Sequence, residues 1–183
     1  MQPARQDLPV IRGTSYRDTV RIMQPELVYR TISSIFGAPA VLEIPGHGLD
    51  SDWPIWVRGV RGLAEINREP SRQMPHRARR IDENQLELNG ISATGFKPEG
   101  GQLLYLKPVD LSQAAPALTV WNGTSVALRL ELGAGLEITA LGTVSRAISP
   151  TESSLLEGCD LHYTFDVTYL GGVITRYFEG RIL

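Results

Sequence analysis

The stretch Leu161-His162-Tyr163-Thr164-Phe165-Asp166-Val167-Thr168-Tyr169-Leu170-Gly171-Gly172-Val173-Ile174-Thr175-Arg176-Tyr177-Phe178-Glu179-Gly180-Arg181-Ile182-Leu183 decides the fold class. Up to Tyr169, apolar Leu161, Tyr163, Phe165, Val167 and Tyr169 alternate with His162, Thr164, Asp166 and Thr168, the period of a half-buried strand. Gly171 and Gly172 tolerate positive φ and suit a two-residue hairpin loop, after which β-branched and aromatic residues return. Such a loop predicts the pairs Tyr169 with Ile174, Phe165 with Phe178 and Leu161 with Ile182 on a core face. The other face would pair Thr168 with Thr175, Asp166 with Tyr177, Thr164 with Glu179 and His162 with Arg181. One residue spoils this register: Arg176 falls opposite Val167 on the apolar side.

Working upstream, Asn122-Gly123 is the residue pair best suited to a type I′ turn, between Leu118–Trp121 and Val126–Leu132. Short strands are expected at Leu136–Ala140 and Thr143–Ile148. Ser149, Pro150 and Glu152 then spell a helix start, with Ser149 as cap, Pro150 at the first helical position and Glu152 completing a capping box. One short helix is expected there, ending near Gly158. Dense punctuation, with 18 Gly and 12 Pro in 183 residues, leaves little room for long helices elsewhere.

From Gly37 to Leu106 the texture changes, with prolines set among apolar runs such as Ile55–Val60 and Gln85–Leu88. It reads as a separate small β unit. Within it, Arg68–Arg80 carries Arg72, His76, Arg77, Arg79 and Arg80 together with Pro70 and Pro75, expected on a long exposed hairpin or loop.

Charge and cysteine content narrow the function classes. A net charge of −2 lacks the broad positive field that nucleic-acid binding needs, so DNA and RNA are not the expected partners. Hydrophobic residues at 42% and charged residues at 21% place the chain among globular folds rather than disordered ones. Its single cysteine, Cys159, has no partner for an internal disulfide. No apolar stretch of signal-peptide length occurs in residues 1–10 and none of membrane-spanning length anywhere, so synthesis in a reducing cytoplasm with no membrane partner is expected.

No residue pattern earns a catalytic, cofactor-binding or metal-binding assignment. His47 sits in Gly46-His47-Gly48-Leu49, where flanking glycines and Pro45 make a turn. Cys159 and His162 have ligand-like spacing, but two ligands do not make a structural zinc site. Asp50, Asp52, Asp82 and Glu83 read as solvated turn charges. No nucleophile elbow, phosphate loop, dinucleotide fingerprint or zinc-protease motif is present. The candidate interface residues are Trp53, Trp56 and Trp121 as aromatic anchors, and Arg72, Arg77, Arg79 and Arg80 as charges that set orientation.

Residues 39–103 carry a resemblance, in Gly46-His47-Gly48-Leu49, Val57-Arg58-Gly59-Val60-Arg61-Gly62-Leu63, Glu65-Ile66-Asn67 and Gly100-Gly101. The stretch resembles a module of phage tail and fibre-associated proteins that is labelled as similar to the first catalytic-cysteine half-domain of ubiquitin-activating enzymes. In those enzymes the half-domain is a β-rich part beside the chemistry, and this stretch contains no cysteine.

A second resemblance runs through Ile11-Arg12-Gly13-Thr14-Ser15-Tyr16-Arg17, Pro108-Val109-Asp110-Leu111-Ser112, Tyr163 to Tyr169 and Phe178-Glu179-Gly180-Arg181. These are similar to the amino-terminal β-sandwich of siphophage baseplate upper proteins. The two resemblances imply a discontinuous antiparallel β-sandwich, residues 1–30 with 108–183, interrupted by an inserted small β-barrel-like domain at 31–107. They imply a non-enzymatic virion component of a tailed phage, assembled in the host cytoplasm. Its partners would be other virion structural proteins and further copies of itself in cyclic or icosahedral symmetry. A tail, baseplate or fibre adaptor is expected first, a capsid decoration protein second. A glycan-binding module, or a hydrolase, with an exposed aromatic platform around Trp53 and Trp56 is the third reading.

Overall fold

The computed structural model describes residues 2–158 and 160–183. In chain order its strands are β1 (Ala4–Arg5), β2 (Tyr16–Arg21), β3 (Met23–Thr31), β4 (Ser34–Phe36), β5 (Ala40–Glu43), β6 (Trp53–Arg58), β7 (His76–Arg80), β8 (Gln85–Leu88), β9 (Gln102–Pro108), β10 (Ala115–Asn122), β11 (Ser125–Leu132), β12 (Gly135–Ala140), β13 (Thr143–Ile148), β14 (Leu161–Thr168) and β15 (Ile174–Arg181). One short helix, α1 (Pro150–Ser154), and a 3-10 turn at Ala64–Ile66 are the helical elements of the described residues. The fold is all-β and sandwich-like, with two curled sheets whose strands pair mostly antiparallel.

Two compact units divide the chain, Met1–Ile22 with Pro108–Leu183, and Met23–Lys107. The resemblances implied a boundary after residue 30; the structure draws it after Ile22. The reason is packing, because Ile22 is buried in the first core whereas Met23 and Val28 pack against the second. The chain leaves and re-enters the first unit side by side, with Val109 N–H donating to the Ile22 carbonyl at 3.0 Å. Ends that close make an insertion cheap in loop entropy.

In the first unit eight strands form one sheet in the order β1-β15-β14-β10-β11-β12-β13-β2. Its inner face is the alternation read in the sequence: Tyr163, Phe165 and Val167 of β14 are wholly buried with Leu118, Val120, Leu130 and Val144. Burying one such side chain contributes about 1.5–3 kcal/mol. α1 carries the expected capping box, Ser149 accepting from Glu152 N–H and Glu152 accepting from Ser149 N–H. It stops at Ser154, short of Gly158, and Leu155 and Leu156 continue in tighter turns to Glu152 and Ser153.

The β10–β11 turn differs from expectation by one residue. Asn122 pairs with Ser125, so the two-residue loop is Gly123-Thr124. Gly123 has φ +58° and no described non-glycine residue has positive φ, which suits type II′ rather than the type I′ turn that needs two such residues. Asn122 instead turns its side chain away, donating to the Glu157 carbonyl at 2.8 Å.

The second unit is a seven-stranded sheet in the order β3-β9-β6-β7-β8-β5-β4. Its edge strands β3 and β4 are consecutive in the chain, separated only by Ile32 and Ser33, so the sheet curls until its edges meet at that corner. Trp53, Ile55 and Val57 of β6, Leu42 of β5, Leu86 and Leu88 of β8 and Leu103 of β9 fill the inside.

Candidate interaction surface

The basic stretch at 68–80 is not a free loop. His76–Arg80 is the sheet strand β7, with His76 and Ala78 buried. Arg79 is held by Glu87 of β8 in a two-point ion pair at 2.9 and 3.0 Å, which raises its pKa further. Arg80 donates from Nε to the Leu49 carbonyl at 3.0 Å, and its backbone N–H donates to Asp52 at 3.0 Å. Arg72 and Arg77 stay exposed. The tryptophans are reassigned as well. Trp53 is buried and donates to the Leu106 carbonyl at 2.9 Å; Trp56 is buried and donates to the Gln73 carbonyl at 2.8 Å. A buried tryptophan whose indole N–H is satisfied by its own unit's backbone offers no open face, so no platform for a ligand exists at these two positions. Of the expected anchors only Trp121, half-buried on β10, meets solvent.

His47 is part of the turn's own scaffolding. Leu49 N–H can only donate, so Nδ1 of His47 accepts it at 3.0 Å, and Nε2 must carry the proton that goes to the Asp82 carbonyl at 2.9 Å. The Tyr105 hydroxyl donates to the His47 carbonyl at 2.6 Å. Burial pushes the imidazole below the ordinary histidine value, against the raising effect of the Asp82 bond. His76 is likewise buried and depressed, and donates to the Ile66 carbonyl at 2.9 Å. Both nitrogens of His47 and Nε2 of His76 are thus spent on backbone. Asp82 accepts from Asn84 N–H at 2.7 Å in a local turn. Cys159 lies outside the described residues, so its spacing to His162 has no geometry attached; among the described residues no group of three His, Cys, Asp or Glu side chains could hold a metal.

The terminal hairpin departs from its simple register in a way that builds a surface. From His162↔Arg181 to Phe165↔Phe178 the expected pairs form. A β-bulge then intervenes, so that Asp166 pairs with Arg176, Val167 with Thr175 and Thr168 with Ile174. A shift of one residue moves every side chain beyond it to the opposite face. Arg176 thereby leaves the apolar side and meets Asp166 at 2.8 and 3.3 Å. Ile174 leaves it too, and stands 66% exposed. The exchange is favourable because burying an unpaired guanidinium costs several kcal/mol, whereas exposing one isoleucine forfeits about 2 kcal/mol.

The loop lengthens accordingly. Tyr169 N–H donates to Val173 O at 2.8 Å, Gly172 N–H donates back to Tyr169 O at 3.0 Å, and Gly171 and Gly172 have φ +90° and +82°. Leu170 and Val173 flank these glycines at 79% and 62% exposure. Below them the Tyr169 and Tyr177 hydroxyls hydrogen-bond at 2.6 Å. The hairpin thus ends in an apolar tip of Leu170, Val173 and Ile174 on a braced stem.

On the outer face of the same sheet the ladder sets side chains in rows. Val126, Trp121, His162 and Arg181 form one row, and Arg129, Thr119, Thr164 and Glu179 the next. Thr119 and Thr164 are short and buried between taller neighbours. Arg5 of β1 extends the second row beside Glu179, at 3.8 Å.

On the inner face the sequence reading missed Arg146 of β13, which points into the core between Val144 and Ile148 and is bidentate to Asp18 of β2. Burial alone would lower its pKa, but the Asp18 carboxylate raises it overall. Its signal was available, since an arginine at an inward position of a period-2 strand demands a partner. Tyr16, beside the same carboxylate, has its pKa pushed up to about 12 by burial and then by Asp18. Compared with models of known protein families and with curated protein sequences, the chain matches none.

Proposed function

We propose that this chain is a structural protein that works by docking to other proteins, as a tail, baseplate or fibre-adaptor component of a tailed-phage virion. The observation that carries the docking part is the apolar tip of the β14–β15 hairpin, where Leu170, Val173 and Ile174 project together into solvent. A contiguous apolar cluster exposed on a braced turn marks an interaction site. The polar groups most able to do chemistry point the same way, because both ring nitrogens of His47 and Nε2 of His76 are committed to backbone groups. The virion assignment rests on the resemblances at residues 39–103 and in the segments around them.

The test is mass measurement of the purified protein together with immunogold labelling of particles. Cyclic oligomers and label at the tail are expected, and the triple variant Leu170→Ser, Val173→Ser, Ile174→Ser should fall back to monomer with an unchanged melting temperature. Label over the whole head would move the assignment to capsid decoration. A monomer absent from particles would end the docking reading.

A further inference from the structure

The outer face of the β14–β15 hairpin carries a groove of about 550 Å³ within the first unit, edged by β1. Arg5, Asp7, His162, Thr164, Glu179 and Arg181 line it. The depression exists because Thr164 is short and flanked along and across the strands by His162, Asp166 and Glu179. Arg176, also at the groove, is already committed to Asp166.

We propose that this groove binds a saccharide. The first argument is charge, since two guanidinium groups, Arg5 and Arg181, are balanced by two carboxylates, Asp7 and Glu179. A purely anionic ligand would meet as much repulsion as attraction there. The second is hydrogen-bond chemistry. Guanidinium nitrogens only donate and carboxylates only accept, so a ligand satisfied by both in one small site must itself both donate and accept, as sugar hydroxyls do. The third is an aromatic flank. Trp121 pairs directly with His162 across the ladder, half-buried and on the same face, where its ring can meet the apolar C–H face of a pyranose. Finally, the Thr164 hydroxyl is buried in the groove floor with no hydrogen-bond partner among the described residues.

The site is separate from the hairpin tip, so it stands whether or not the tip docks a protein. The experiment uses the full chain on an array of immobilised neutral and uronic-acid oligosaccharides, with a poly-glutamate peptide on the same surface and hits titrated by calorimetry. Saccharide binding is expected. Arg181→Ala and Trp121→Ala should each weaken it about tenfold, the worth of one charge-assisted hydrogen bond or one ring contact. Arg181→Ala removes only an exposed side chain and should leave the melting temperature in place, and the Leu170, Val173 and Ile174 triple variant should bind as the parent does. A silent array, capture of the peptide instead of any sugar, or saccharide binding unchanged in Arg181→Ala would overturn the proposal.

Discussion

Replacing His47 with alanine tests whether this buried imidazole is scaffolding. The substitution removes an acceptor from Leu49 N–H and a donor from the Asp82 carbonyl, at 3.0 and 2.9 Å, inside a turn where His47 is wholly buried. Leu49 N–H is buried, so orphaning it costs about 1–3 kcal/mol, whereas Asp82 is exposed and its carbonyl can turn to water; a loss of about 1–3 kcal/mol is expected. Titration supplies an independent check. His47 and His76 both have folded-state pKa values below the ordinary 6.5, so the unfolded chain takes up protons first as the pH falls. Stability is therefore full above pH 6.5 and declines below it, by up to about 1.4 kcal/mol per pH unit for each histidine until its depressed pKa is reached. In His47→Ala only the His76 share of that slope should survive. Urea unfolding in a Trp121→Phe background reads the second core alone, through Trp53 and Trp56. A loss under about 0.5 kcal/mol, the size of an ordinary surface change, or an unaltered pH slope would refute the reasoning.

Three further substitutions probe the first unit. A Cβ at Gly180 would sit 2.1 Å from the Gln6 carbonyl oxygen, so Gly180→Ala should displace β1, cost about 2–4 kcal/mol and speed amide exchange at residues 6–8. Asp18→Ala leaves Arg146, whose side chain is 1% exposed, without its counter-ion, and should cost about 3–5 kcal/mol in denaturant unfolding. The double change Asp18→Leu with Arg146→Met should lie much nearer the parent, because neither charge is then stranded. Ser149→Ala removes half of the capping box on α1, and a drop of about 1 kcal/mol in the same assay is expected.

Side-chain alternation by itself determined the all-β class and the inner stripe of Tyr163, Phe165 and Val167, because a strand's faces follow from a period of two without reference to anything distant. It also determined the cap of α1, whose contacts span only three residues from Ser149 to Glu152. The bulge near Phe165, the boundary at Ile22 and the burial of Trp53 and Trp56 were decided by tertiary structure. Each depends on which of two environments a side chain reaches when residues far apart in sequence meet. Arg176 could sit opposite Val167 or Asp166 under nearly the same local pattern, and only the cost of an unpaired charge in a finished core selects between them. The interaction surface followed from that selection, since Ile174 reaches solvent only because Arg176 was taken out of the core.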